Sequence, residues 1–170
     1  MSDTTGMDRS KALELIASGN AVGADLRNVD LRGADLRGAR LSHANLAGAQ
    51  LSGADLRETI LDEADLRGAD LSGANCEFII LGGADVSDAN FTGANLQCAN
   101  LVGTKGHRAK FDMAKMFYSR PGNADFQGAS FQSADITRAI FRRANLRGAD
   151  LRDAEGQANF ENAVLEGVRR

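Results

Sequence analysis

Few residues in this chain are of the types that do chemistry. There are two histidines, His43 and His107, and two cysteines, Cys76 and Cys98. Neither histidine has a second histidine or a cysteine at the spacing that holds a metal. The adjacent acids Asp62 and Glu63 read as the solvated outside of a turn, whereas tuning a carboxyl for acid–base work takes burial and a specific partner. The glycine clusters recur too regularly to be phosphate-binding loops. The two cysteines fall at different places in the pattern described next, so both are expected as free thiols. No catalytic, cofactor-binding or metal site is expected, and the chain reads as a non-enzyme unless a partner completes a site.

What the chain carries in quantity is one five-residue phrase, plainest in Ala34-Asp35-Leu36-Arg37-Gly38. Stepping by five from Leu26 to Leu151 meets 26 centres, of which 15 are Leu and five Phe, with Cys76, Val86, Met116 and Ile136 at single places. Only Gly106 and Pro121 break the rule. Two positions before the centre, 21 of the 26 residues are Ala. A helix would spiral these centres around its surface, and a strand would send alternate centres to opposite faces. The period is honoured only if every repeat contains a corner. Ala and Leu, two apart, then share the inner side of a short extended segment, and the corner falls two after the centre, where glycine is commonest.

The tandem Ala-Asp/Asn-Leu-X-Gly of Ala34 to Gly38, Ala69 to Gly73 and Ala144 to Gly148 closely resembles the pentapeptide repeat proteins, over about four-fifths of the chain. The resemblance implies an all-β fold, a right-handed quadrilateral β-helix with four repeats per coil and the centre and the residue two before it inside. With Phe160 and Leu165, which resume the pattern after a one-residue slip near Gly156, there are 28 repeats and about seven coils. Residues 20 apart then stack, so Phe91, Phe111 and Phe131 form one internal column above Leu31, Leu51 and Leu71; Leu26, Leu36 and Phe141 belong to the same core.

Three regions follow. Residues 1–23 form a tail and a capping helix near Ser10 to Asn20, started by Asp8 or Ser10 and ended at Gly19. Residues 24–165 are the array, and 166–170 a C-terminal tail. Within the array, Gly106 and Pro121 at centres predict an irregular basic loop at about 104–123, with an excursion at 117–123 that leaves later columns unassigned. The composition is 43% hydrophobic and 25% charged with no Trp, one Tyr and one Pro. A polar start and the lack of any long apolar run point to a soluble, cytoplasmic protein away from membranes.

The outward residues distinguish the sides. The residue before the centre is acid or amide on three sides in most coils, but on the fourth it runs Arg40, Ile60, Ile80, Asn100, Arg120, Ile140. Either Ile60 and Ile80, with Phe78, Phe117, Tyr118 and Arg120, form a partner-facing surface, or Ile79 and Ile80 turn inward at a bulge. Residues 24–103 carry 12 acids against 6 bases, while 104–124 carry one acid and five bases, so Lys105, His107, Arg108, Lys110 and Lys115 mark a basic patch. It either binds a partner or offsets neighbouring acids.

The leading function is a rigid scaffold that binds a protein of unknown identity. The alternative comes from the resemblance: a DNA mimic that binds or protects a type II topoisomerase, DNA gyrase. Arg27, Arg32, Arg37, Arg57 and Arg67 dilute the negative field that such a mimic needs. Weak nucleic-acid binding through the basic loop ranks third, against a net charge of −3. A homodimer through the open C-terminal coil is also expected from its apolar Phe160, Val164 and Leu165.

Overall fold

The computed structural model describes residues 7–170; residues 1–6, the start of the expected N-terminal tail, lie outside it. Each repeat closes on itself first. The carbonyl of the centre accepts a hydrogen bond from the amide three residues on, as from Ala34 to Leu31 and from Ala54 to Leu51, both 3.0 Å. The third residue of this turn takes positive φ, 62° at Gly33 and 65° at Gly53. Between corners, single residues pair in parallel with the residue 20 further on: Asp25 with Asn45, Asp30 with Gln50, Asp35 with Asp55, Arg40 with Ile60. Four such pairs per 20 residues make a four-sided coil, and the columns through Asp25, Asp30, Asp35 and Arg40 define its first to fourth sides.

This geometry leaves the interior to small and medium apolar groups. The ladder runs parallel to the axis: Leu31 N–H donates to Gln50 O at 2.7 Å and Gln50 N–H donates back to Val29 O at 2.9 Å. Centres and the residues two before them point inward, and Leu26, Leu31, Ala44, Leu51 and Leu71 are fully buried. The aromatic column forms as its spacing predicts. Phe111 stacks on Phe91 at 5.1 Å and on Phe131 at 5.0 Å, while Phe126 meets Phe111 and Phe131 edge-on at 5.3 and 5.6 Å.

The loop expected at 104–123 does not exist. Its residues keep the same turn-and-bridge rhythm as the rest, and Lys105, Lys110, Lys115 and Arg120 all pair with residues one coil earlier. Two local substitutions make this tolerable. Pro121 is buried at a centre; its missing N–H gives up the ladder bond to Ile140 and with it the Arg120–Ile140 bridge, and the turn bond from Ala124 N–H to its carbonyl is not made either. At Gly106 the missing side chain is replaced by the ring of Phe126. The columns therefore continue without a shift, and Phe131 belongs over Phe111.

Helix α1, Arg9–Ala17, closes the N-terminal end. Asp8 caps it by accepting from Lys11 N–H at 3.0 Å, and Gly19, at φ 78°, follows its end. Ala12 and Ile16 are buried against the first coil, and the Arg9 guanidinium donates to the carbonyls of Asp30 and Arg32 at 3.1 and 3.0 Å. Those carbonyls have no coil beneath them, so the arginine fills a ladder place that the fold leaves open. At the other end the register slips by one: Ile140 pairs with Asn159 and Asp150 with Arg169. The array thus runs past 165 into what the sequence suggests is a tail. Phe160 reaches Phe141 across this slip, stacked at 5.2 Å.

Candidate protein-contact face

Why the outward position is so often Asp or Asn is a matter of local bonding. The side-chain oxygen accepts from the backbone N–H two residues on, from Ala47 to Asn45 at 3.1 Å, from Ser72 to Asp70 at 3.0 Å, from Ser87 to Asp85 at 3.0 Å, from Gln97 to Asn95 at 3.2 Å. A short acceptor there fixes each corner. The amides also ladder along columns, Asn90 donating to Asp70 and Asn95 to Asn75, both at 3.0 Å. The acid columns are therefore explained by folding before any function is invoked.

The fourth side abandons this device. From Arg40 to Ile140, Asn100 alone supplies the acceptor, to Val102 N–H at 3.2 Å. Arg40, Ile60, Ile80, Arg120 and Ile140 have no such group. Ile79 is fully buried in its normal inward place, and Ile80 bridges Ile60 and Asn100 without a bulge, so the outward stripe is the arrangement present. Along the edge shared with the third side, Phe78 and Tyr118 stand 51% and 42% exposed, two coils apart with Cys98 between them. Both take positive φ, 57° and 56°, a conformation costly for an aromatic residue. Phe117 is half-buried and meets the Tyr118 ring at 4.3 Å. All six residues of the expected surface thus share this side and its edge.

Sequence reasoning underrated the residues beyond the supposed loop. Arg138 lies over the Tyr118 ring at 5.2 Å and donates to its hydroxyl. Ile140, with Arg120, Arg143 and Val102, lines a shallow groove on the same side. Their positions follow from adding 20 to Tyr118 and Arg120, a sum the expected excursion had put in doubt.

The basic residues do not form one patch. Lys105, Lys110, Lys115 and Arg120 occupy the outward place on the first, second, third and fourth sides of a single coil, so they girdle the rod. Arg108 pairs with Asp88 at 2.6 Å, and His107 Nε2 lies 2.9 Å from Asp125. Arg108 and His107, which flank the belt, thus each lie against an acid, and a ligand lying along one side meets one cation of the ring.

The acid columns are themselves muted. Asp25, Asp30, Asp35, Asp55 and Asp65 are each clamped by the arginine two residues on, at 2.5 to 2.7 Å. The Arg37 hydrogen bonds hold the Asp35 carboxyl down at about 2, and those of Arg152 do the same for Asp150. Burial pushes the Cys76 thiol well above its usual range, while Cys98 is half-buried at the edge of the fourth side, and both are free. Among the described residues no three His, Cys, Asp or Glu side chains gather as a metal site would require.

The coil geometry and the repeat together define a class. The family model for pentapeptide repeats matches residues 22–57, 49–88, 87–117 and 122–155 as eight copies, and the chain belongs to the pentapeptide repeat family. Proteins of this family are generally structural or interaction proteins and not enzymes. Three solved structures are similar. HetL, a pentapeptide repeat protein involved in heterocyst differentiation regulation from the cyanobacterium Nostoc sp. strain PCC 7120, is 28% identical over 95% of this chain and 96% of its own, at a TM-score of 0.27. A pentapeptide repeat protein of the Arabidopsis thaliana thylakoid lumen is 30% identical over 73% and 72%, at 0.39. Full-length QnrB1, a plasmid-mediated fluoroquinolone resistance protein, is 20% identical over 96% and 88%, at 0.43. No curated protein matches the chain.

Proposed function

We propose that the chain is a rigid, non-catalytic scaffold, a right-handed quadrilateral β-helix of about seven coils, that binds a protein through its fourth side. One observation carries the reading. On that side the fold forgoes its own turn-closing acceptor at five of the six rows from Arg40 to Ile140 and presents three isoleucines and two arginines instead. Arg40, Arg120 and Ile140 are exposed and Ile60 and Ile80 half-buried, so residues that weaken local closure keep surface on the outside of the rod and serve something other than folding. Two free thiols fit a reducing cytoplasm. The test compares what the immobilised wild-type chain and an Ile60→Asp, Ile80→Asp variant retain from a cell lysate. Loss of a specific partner with unchanged melting supports the reading; identical retention overturns it.

A second reading is action on a type II topoisomerase as a DNA mimic, which the acid and amide columns of the first three sides favour. The arginine clamps and the basic belt weaken the negative field that such mimicry uses. Supercoiling by DNA gyrase, unchanged by micromolar amounts of the chain, would retire it.

A further inference from the structure

The fourth side is divided in charge at its middle row. At the rows of Ile60 and Ile80 its two edges carry Glu58, Glu77, Asp62 and Glu63 against one base, Arg57; at the rows of Arg120 and Ile140 the side and its edges carry Arg120, Arg138, Arg142 and Arg143, with no acid before Glu161, while the first row carries the bases Arg37 and Arg40. Apolar groups lie on both halves, Ile60, Ile80 and Phe78 on one, Tyr118 and Ile140 on the other.

We propose that the protein bound by this side is a second copy of the same chain, lying antiparallel to the first about a two-fold axis that crosses the side at Asn100. The proposal rests on the reading of the fourth side as a contact surface and names its occupant. Rows are evenly spaced one coil apart, so such an axis sends each row to the row equally far beyond Asn100 and keeps each edge on its own edge. Counting coils then sets Glu58 opposite Arg138, Asp62 opposite Arg142 and Glu63 opposite Arg143. Phe78 meets Tyr118, Ile60 meets Ile140, and the aliphatic stem of Arg120 covers Ile80. Val102, 38% exposed, and Cys98 meet their own copies on the axis.

The competing symmetric arrangement fails on charge. Two parallel rods would set Glu58 against Asp62 and Glu63, and Arg138 against Arg142 and Arg143, with Arg57 the one group of opposite sign among them. A foreign acidic partner would use only the C-terminal half and leave Phe78, Ile60 and Ile80 inside an acidic rim. A second copy uses both halves and gives the two strained, exposed aromatic residues to each other.

The contact is a strip one side wide and about 20 Å long, at about 4.8 Å per row, and so covers less than the roughly 800 Å² per partner of a stable interface. A dimer that dissociates in the micromolar range follows. Sedimentation of the full chain from about 1 to 200 µM is therefore expected to show reversible dimerisation. Glu58→Arg alone and Arg138→Glu alone should each weaken it about tenfold or more, and the double variant should restore it. Melting curves confirm that each variant is folded. Diamide, which takes two electrons and two protons from a pair of thiols, should then cross-link the wild-type dimer through Cys98, and Cys98→Ser should abolish the cross-link.

A chain that stays monomeric throughout overturns the proposal. So does a dimer indifferent to both charge reversals, as one through the open C-terminal coil would be. If the chain is monomeric while Ile60→Asp with Ile80→Asp still loses a lysate partner, the second copy falls and the contact face stands.

Discussion

The ring of Phe126 stands where a side chain at Gly106 would be: a Cβ built there would lie 2.5 Å from two of its ring carbons and 3.2 Å from Val86. The glycine and the phenylalanine are one packing decision, made between two consecutive coils of the first side. Gly106→Leu, which restores the repeat's usual centre, is expected to destabilise by about 1–3 kcal/mol through overpacking. Adding Phe126→Leu should recover most of that loss. Urea unfolding of the single and double variants measures both, and additive losses would deny the coupling.

Ser119 is buried in the inward place that alanine usually fills, and its hydroxyl has no hydrogen-bond partner. Thr59 and Thr104, in the same place, donate to Leu36 O and Leu81 O at 2.8 and 2.9 Å. Ser119→Ala should therefore stabilise by about 1 kcal/mol, while Thr59→Ala, which forfeits a made bond, should not. Thermal melts of the two variants are expected to move in different directions.

Asp35 and Asp150 have their carboxyls lowered to about 2 from 3.8, held by hydrogen bonds from Arg37 and Arg152. A group whose pKa falls on folding adds stability that is present above its unfolded value and is lost as pH drops through the folded one. Melting temperature is thus expected to be level from neutral pH to about 4 and to fall between pH 4 and 2. Arg37→Gln with Arg152→Gln should flatten that fall while lowering the plateau. A neutral-to-acid melt series reads it out.

Gly156 is at φ 88°, and a Cβ there would lie 2.1 Å from Thr137 Oγ1 and 2.7 Å from Thr137 Cα. Here the obstacle is backbone, which cannot rotate away. Gly156→Ala should detach the last coil locally, raising hydrogen exchange at the amides of Val164 and Arg169, which donate to Ala144 and Ala149. Amides before residue 120 should exchange as before.

The frame of the molecule was legible because it is written many times over. A spacing of five repeated along the chain admits one kind of backbone, and a spacing of 20 places Phe91, Phe111 and Phe131 in one column. The reading failed where a general rule about one residue competed with that frame. Pro121 and Gly106 are loop signals in most contexts, but here the neighbouring coils supply all but one of the ladder bonds and a ring fills the gap. The mistake hid the groups of the fourth side that lie beyond it, Arg138, Ile140 and Arg143. The Asp and Asn columns were misjudged differently. Their outward direction is plain from the repeat, but the bond each makes to its own corner is a matter of geometry inside one turn.

The four-residue-pair coil also makes position along the chain equivalent to an angle about the axis. Insertion of one extra five-residue repeat after Asn100 would turn everything beyond it by a quarter turn, carrying Tyr118, Arg138 and Ile140 round the corner from Ile60 and Ile80, and would take Phe111 off Phe91 while keeping the interior apolar. Insertion of a whole coil of 20 would keep them aligned and merely lengthen the rod. Surfaces on this molecule can be assembled, dispersed or stretched by counting repeats, without altering a single residue that composes them.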